Sequence, residues 1–255
     1  DLTALAIMGI VDALKKLRFF FKLRDELVDL AKDCDKVLLM DSSGFNLPLA
    51  KKLRETYPNK EIIYYILPQA WAWKKGRVKK LEAYCAKLCS IIPFESEIYN
   101  DKNKITYVGH PLLDEIKDFK QELVNTNKIA FMPGSRKTEI TNLMPIFREL
   151  IKKMPNKEYI LIIPAKFDDD YIKKIYGDIS NFTISKNTHK TLQESEYAFI
   201  CSGTATLEAA LIGTPFTLSY IAKKIDYFIG SLFVKLNHVG LANIFFEKMG
   251  KSTLH

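Results

Sequence analysis

Residues 197–215 read YAFICSGTATLEAALIGTP. They hold an apolar run from Tyr197 to Cys201, a Ser202-Gly203-Thr204 turn and a helical stretch from about Ala205 to Ile212. Gly213 supplies a C-terminal stop, and Pro215 forbids continuation. A buried strand, a tight turn and a short helix leave unpaired N–H groups and the positive end of a helix dipole beyond a strand's carboxyl end. A phosphate or diphosphate fits there without a metal. Glu208, one turn into the helix, offers a carboxylate to the two hydroxyls of a ribose. Its other role, as half of a capping box, needs Ser or Thr three residues earlier, and Ala205 stands there. From this stretch alone, a nucleotide site and an ordinary α/β crossover both stay open.

The same design occurs upstream. A strand from Ile129 to Met132 runs into Pro133-Gly134-Ser135-Arg136-Lys137, and a helix follows from about Thr138. Gly134 permits close backbone approach, Ser135 offers a hydroxyl, and Arg136 can hold a diphosphate with two parallel hydrogen bonds. Lys137 and Glu139 read as a charge pair at the helix start. Further strands are expected at Tyr159–Ile163, Phe182–Ile184 and Phe216–Tyr220, with an apolar helix over 226–236. The triplet Asp168-Asp169-Asp170 could hold a divalent ion, but it also suits the first turn of a helix near Tyr171, and that reading is preferred.

The first half follows the same grammar. Strands are expected at Val37–Met40, Ile62–Ile66, Leu88–Ile92 and Ile105–Val108. Asp41 lies just beyond the first, where open α/β sheets place their chemistry; it is a candidate general base or a cap on the following helix. Residues 67–81, LPQAWAWKKGRVKKL, interleave Trp71 and Trp73 with five cations, which suits nucleic acid, a phosphosugar or a solvated helix face. Over the first thirty residues Ile10, Val11, Leu14, Leu17 and Phe21 recur at helical spacing. Phe20 widens that face, and lysines and arginines crowd the other. Such a helix either packs into the core or lies on an anionic membrane.

Strands alternating with helices on both sides of a polar stretch indicate two doubly wound α/β domains, 1–113 and 128–255, joined by a linker over 114–127, with a ligand in the cleft between them. The first half opens on a helix and the last stops soon after Asn243, so both halves read as truncated, and activity of the chain by itself is left open. At 255 residues, 47% hydrophobic and 27% charged, the composition is that of a soluble globular protein. A net charge of +8 favours anionic partners. Four scattered cysteines, with Cys85 and Cys89 spaced to share a helical face, complete no zinc site and are expected to be reduced. No membrane span or secretory leader is expected.

The segments MGIVDALKKL, PQAWAW, GRVKK, PFE, VGHPLLD, MPGSRKTEI and SGTATLEAALIGTP, in this order, resemble the lipid-A-disaccharide synthases across nearly the whole chain. The resemblance implies a two-domain GT-B glycosyltransferase, inverting and needing neither metal nor cofactor, peripheral on the cytoplasmic face of a Gram-negative inner membrane. It would join UDP-2,3-diacylglucosamine to 2,3-diacylglucosamine 1-phosphate (lipid X) through a β-1,6 bond and release UDP. Nucleic acid would not be a partner, and a homodimer is a conceivable assembly. The family's essential acid falls on Asp41. Its UDP-sugar contacts fall on Gly134, Ser135, Arg136, Ser202, Gly203, Thr204, Thr206, Glu208 and Asn243. Ile10, Val11, Leu14, Leu17, Phe20 and Phe21 would face the membrane and acyl chains. Gly44 stands where the family has a second acid, and Ala242 where it has proline. The rivals are another UDP-sugar enzyme of this architecture, either an undecaprenyl-linked N-acetylglucosaminyltransferase or an epimerase, and a basic nucleic-acid-binding protein.

Overall fold

The computed structural model describes residues 10–72, 75–123, 125–221, 241–248 and 250. They fall into two compact units, one reaching Pro111 and the other starting at Leu112. Trp73 and the expected helix over 226–236 lie outside the described residues.

The first unit runs α1 (Ile10–Leu30), a 3-10 turn (Ala31–Asp33), β1 (Lys36–Met40), α2 (Ser43–Thr56), β2 (Glu61–Tyr65), α3 (Gly76–Tyr84), β3 (Lys87–Ser90), a second 3-10 turn (Pro93–Ile98) and β4 (Ile105–Tyr107). Its four described strands are all parallel and lie in chain order, β1-β2-β3-β4. Successive right-handed crossovers in one direction put every connecting helix on the same face. Val28, Leu53, Val78 and Leu81 of the helices accordingly pack with Leu39, Ile62, Tyr64 and Leu88 of the strands in a single core. Side chains alternate along a strand, so Leu38 and Met40 point to the opposite face. They are 63% and 56% exposed.

The second unit opens with α4 (Leu112–Glu115), then β5 (Lys128–Met132), α5 (Lys137–Lys153), β6 (Glu158–Ile162), α6 (Asp169–Tyr176), β7 (Thr183–Ser185), α7 (Thr188–Glu194), β8 (Tyr197–Cys201), α8 (Thr204–Ile212), β9 (Phe216–Ser219) and α9 (Leu241–Lys248). Its five described strands are parallel and lie in the order β7-β6-β5-β8-β9. The chain builds outward from β5 to β7, then returns and builds the other way from β8. The reversal sends α5 and α6 to one face and α7 and α8 to the other. Two cores result: Ile129, Phe131 and Leu161 pack under α5 and α6, while Ala130, Ile162, Ala198 and Ile200 pack under α7 and α8. Phe131, fully buried, has the rings of Phe147, Phe182 and Phe199 within 5.1–5.4 Å, centroid to centroid.

The polar stretch expected to link the halves is laced onto the second unit. Leu112 and Ile116 are buried with Ala198 and Ile212. The Lys120 amide donates to Ile212 O at 2.8 Å, its ammonium donates to Ser195 O, and Thr126 Oγ1 donates to Glu194 O at 2.5 Å. Cys85 and Cys89 do not share a helix face: Cys85 follows α3 and is buried, while Cys89 lies within β3. The acidic triplet starts α6, where Asp168 accepts from the Tyr171 amide at 2.7 Å as an N-cap. Among the described residues no helix is long and apolar enough to cross a membrane.

Candidate functional site

In open α/β sheets, ligands settle beyond the carboxyl ends of the strands where the strand order reverses. In the second unit that point lies between β5 and β8, which pair in parallel from Ile129 with Tyr197 to Met132 with Ile200. The loops that follow them are the two that the sequence singles out, Pro133–Arg136 and Ser202–Thr204.

The β5 loop is shaped from beneath by Glu139. Its Oε2 accepts the Ser135 and Arg136 amides, each at 3.1 Å, and its Oε1 accepts from Arg136 Nη1 at 2.6 Å. The Glu139 side chain is 14% exposed and that of Arg136 72%. Gly134 has φ +99°, and a Cβ there would fall 2.5 Å from Glu139 Oε2 and 3.1 Å from Cys201 Sγ. Only glycine lets the loop close over the carboxylate. The expected pairing of Glu139 with Lys137 is therefore replaced by one with Arg136. Two loop amides are also already satisfied, so this loop offers an anion its guanidinium more than its backbone. Burial pushes the Cys201 thiol up to about 11, helped by Glu139 and opposed by Arg136, which places both charges beside the end of β8.

The β8 loop is the complement. Gly203 stands at the N-cap of α8 with φ +153°, and no side chain caps the helix. Gly203 and Thr204 are exposed, and Ser202 is half-buried. Thr206 is buried, and its hydroxyl turns back to donate to Gly203 O at 2.7 Å, so it braces the turn from inside. Gly213 ends α8 in the left-handed conformation, with its amide on Ala209 O. The half-buried Glu208 carboxyl is pushed above its ordinary range by burial; His189 of α7 opposes the shift and Glu115 of α4 adds to it. Neither neighbour was legible in the sequence, since both arrive through packing. Asn243 is half-buried on α9, a helix that packs against α8.

The first unit builds its carboxyl edge differently. Asp41 and Ser42, just after β1, have φ of +49° and +42°, and Ile66, just after β2, has +57°. A left-handed β-branched residue is a true outlier, and such strain persists only where the surroundings impose it. Here the Asp41 amide donates to Tyr65 O at 3.1 Å, and its carbonyl accepts from Asn46 Nδ2 at 2.9 Å and from the Tyr64 hydroxyl at 2.5 Å. Asn46 Nδ2 also reaches Met40 O at 2.9 Å. With its backbone fixed by three contacts, the Asp41 carboxylate is left exposed. It does not cap α2: Ser42 occupies that position, and no side chain makes the capping bond. The side-chain positions of Ile10, Val11 and Leu14 lie outside the described residues. Further along α1, Leu17 and Phe21 are exposed, as is Phe19, whereas half-buried Phe20 meets the ring of Phe45 at 5.9 Å.

The sequence matches the family described as Lipid-A-disaccharide synthetase over residues 1–254. It is 51% identical over 253 residues to a lipid-A-disaccharide synthase of Helicobacter pylori (strain Shi470), covering 97% of this chain and 69% of that one. It is equally 51% identical to one of Campylobacter jejuni (strain RM1221), covering 97% and 70%. Among solved structures, the S. aureus MnaA-UDP co-structure aligns over 91% of this chain and 71% of its own at TM-score 0.57 and 12% identity. A UDP-GlcNAc 2-epimerase from Neisseria meningitidis bound to UDP-GlcNAc aligns over 95% and 74% at 0.51 and 14%. These likenesses speak for the fold, which is the GT-B class. By family match and by identity, the chain belongs to the lipid-A-disaccharide synthetases, glycosyltransferases of lipid A synthesis.

Proposed function

We propose that the second unit holds UDP-2,3-diacylglucosamine and that the first receives 2,3-diacylglucosamine 1-phosphate. Asp41 takes the proton from the acceptor's 6-hydroxyl as that oxygen bonds to the donor's anomeric carbon. The bond from that carbon to the diphosphate breaks, its electron pair leaves with UDP, and configuration inverts. Arg136 and the uncapped amides of Gly203 and Thr204 at the start of α8, with the Ser202 hydroxyl beside them, stabilise the charge on the departing diphosphate. Gly134 and Ser135 shape the loop that carries Arg136, Glu208 accepts the ribose hydroxyls, and Asn243 supports it from α9. Leu17, Phe21 and the cations around them suit the acidic, acyl-rich surface where both substrates reside.

The observation that carries this reading is the reversal of strand order between β5 and β8, which sets an exposed guanidinium and an uncapped helix start side by side. The test is UDP release from the two acylated substrates. Arg136→Ala should lower turnover by about 10²–10³-fold, the scale of a lost preorganised anion contact. Stability should move by no more than about 0.5 kcal/mol, because the pair with Glu139 is largely exposed on the arginine side. Unchanged turnover removes Arg136 from the mechanism.

A further inference from the structure

A buried acid in the first unit takes no part in the chemistry above. Glu95, in the 3-10 turn after β3, is 2% exposed, and Ser90 beside it is fully buried. Ser90 Oγ lies 2.6 Å from Glu95 Oε2 and 2.7 Å from Ile92 O, and it accepts the Ile92 amide at 3.2 Å. A hydroxyl has one proton to give and room to accept two. The one serine proton can therefore serve Glu95 Oε2 or Ile92 O, but not both. When it goes to Glu95, the carboxylate is the acceptor; when it goes to Ile92 O, the contact with Ser90 Oγ needs a proton on the carboxyl, and a neutral Glu95 donates it.

Next to it, Trp71 packs edge-on against Phe94 with ring centroids 5.2 Å apart, and its buried Nε1 has no hydrogen-bond partner among the described residues. That indole is close enough to favour the charged form of Glu95. The other groups acting on the carboxyl are the Ser90 hydroxyl and the Ile92 amide; the phenol of Tyr99 also faces it. All are neutral. Burial against them raises the acid to about 7. Trp71 belongs to the loop after β2 that starts at the strained Ile66, on the same carboxyl edge as Asp41.

We propose that Glu95 is a positioning residue that sets the Trp71 loop by its protonation state. As an acid it bonds Ser90 and leaves the indole N–H unpaired. As a carboxylate it draws the Ser90 proton away from Ile92 O and gives the Trp71 N–H its acceptor. No electrons move; one proton leaves to solvent and two hydrogen bonds change partner.

The test reads the indole, not turnover, so it is independent of the glycosyl-transfer reading. The chain has two tryptophans, so Trp73→Phe in the full chain leaves Trp71 as sole reporter. Its emission and indole N–H resonance should shift in one step centred near 7. Glu95→Gln should flatten the trace across about pH 5 to 9. Ser90→Ala should move the midpoint upward, because the ionised form loses a donor. A step that survives Glu95→Gln, or a flat trace in the Trp73→Phe parent, overturns the proposal. Should Glu95→Gln fail to fold, the infrared carbonyl band of glutamate-labelled parent protein decides. A neutral-carboxyl band present below the midpoint and lost above it supports the switch, and its absence below the midpoint overturns it.

Discussion

The two units share one strand grammar and build their reactive edges by opposite means. In the second unit the strand order reverses, helices cover both faces, and positive φ at the edge is carried by glycine, at Gly134 and Gly203. In the first unit the described strands run one way, one face is covered among the described residues, and positive φ falls on Gly109 after β4 but on side-chain-bearing Asp41, Ser42 and Ile66 after β1 and β2. Glycine adopts the left-handed region at no steric cost, so the second edge can be shaped by sequence-local chemistry. A side chain there costs about 1–2 kcal/mol, so the first edge stands only because Asn46, Tyr64 and the backbone of β2 hold it. The lesson is that one edge is set by topology and glycine, and the other by buried polar anchors.

The widest separation should come from the two sheets themselves. Phe131→Ala, in the doubly covered sheet, should cost about 3–5 kcal/mol by lost transfer and cavity terms, while Leu38→Ala on the open face should stay within about 0.5 kcal/mol. Denaturant melts of each variant measure this, and equal losses would erase the distinction between the two faces.

Glu95 sharpens the comparison from the first unit's side. Its folded value, raised from 4.5 to about 7, makes its contribution to stability full below the unfolded value and lost as pH rises through the folded one. Across that window wild-type stability should fall by about 3 kcal/mol relative to Glu95→Gln. Parallel melting curves against pH would refute the buried neutral acid.

Backbone substitutions at the two edges should then differ in sign. Gly134→Ala meets Glu139 at 2.5 Å and should cost about 2 kcal/mol or more. Asp41→Gly relieves a left-handed side chain and should raise stability by up to about 1 kcal/mol while turnover collapses. A destabilised Asp41→Gly would mean that the anchors, and not strain, dominate that turn.

The smallest effect on the fold is expected on α1. Phe21→Ser should leave stability within about 0.5 kcal/mol yet weaken binding to anionic vesicles, whereas Phe20→Ser, which removes the contact with Phe45, should lower stability by about 1–3 kcal/mol. Vesicle sedimentation beside thermal melts separates the two roles. Unchanged vesicle binding in Phe21→Ser would remove the membrane role.

By itself the sequence determined what is local. Apolar runs broken by Gly, Pro and Asp marked where the strands fall along the chain, because backbone propensity and side-chain alternation act over a few residues. The same locality made Gly134, Arg136 and the start of α8 legible as a candidate anion site. Tertiary structure alone decided what depends on residues far apart in the chain. It placed β5 beside β8, since strand order is not written in either strand. It brought Glu139 under its own loop, His189 and Glu115 to Glu208, and Asn46 and Tyr64 to the Asp41 carbonyl. It also set Glu95 apart from the other acids of a charged chain by raising its hold on a proton, because desolvation arises only when distant elements close over the same carboxyl.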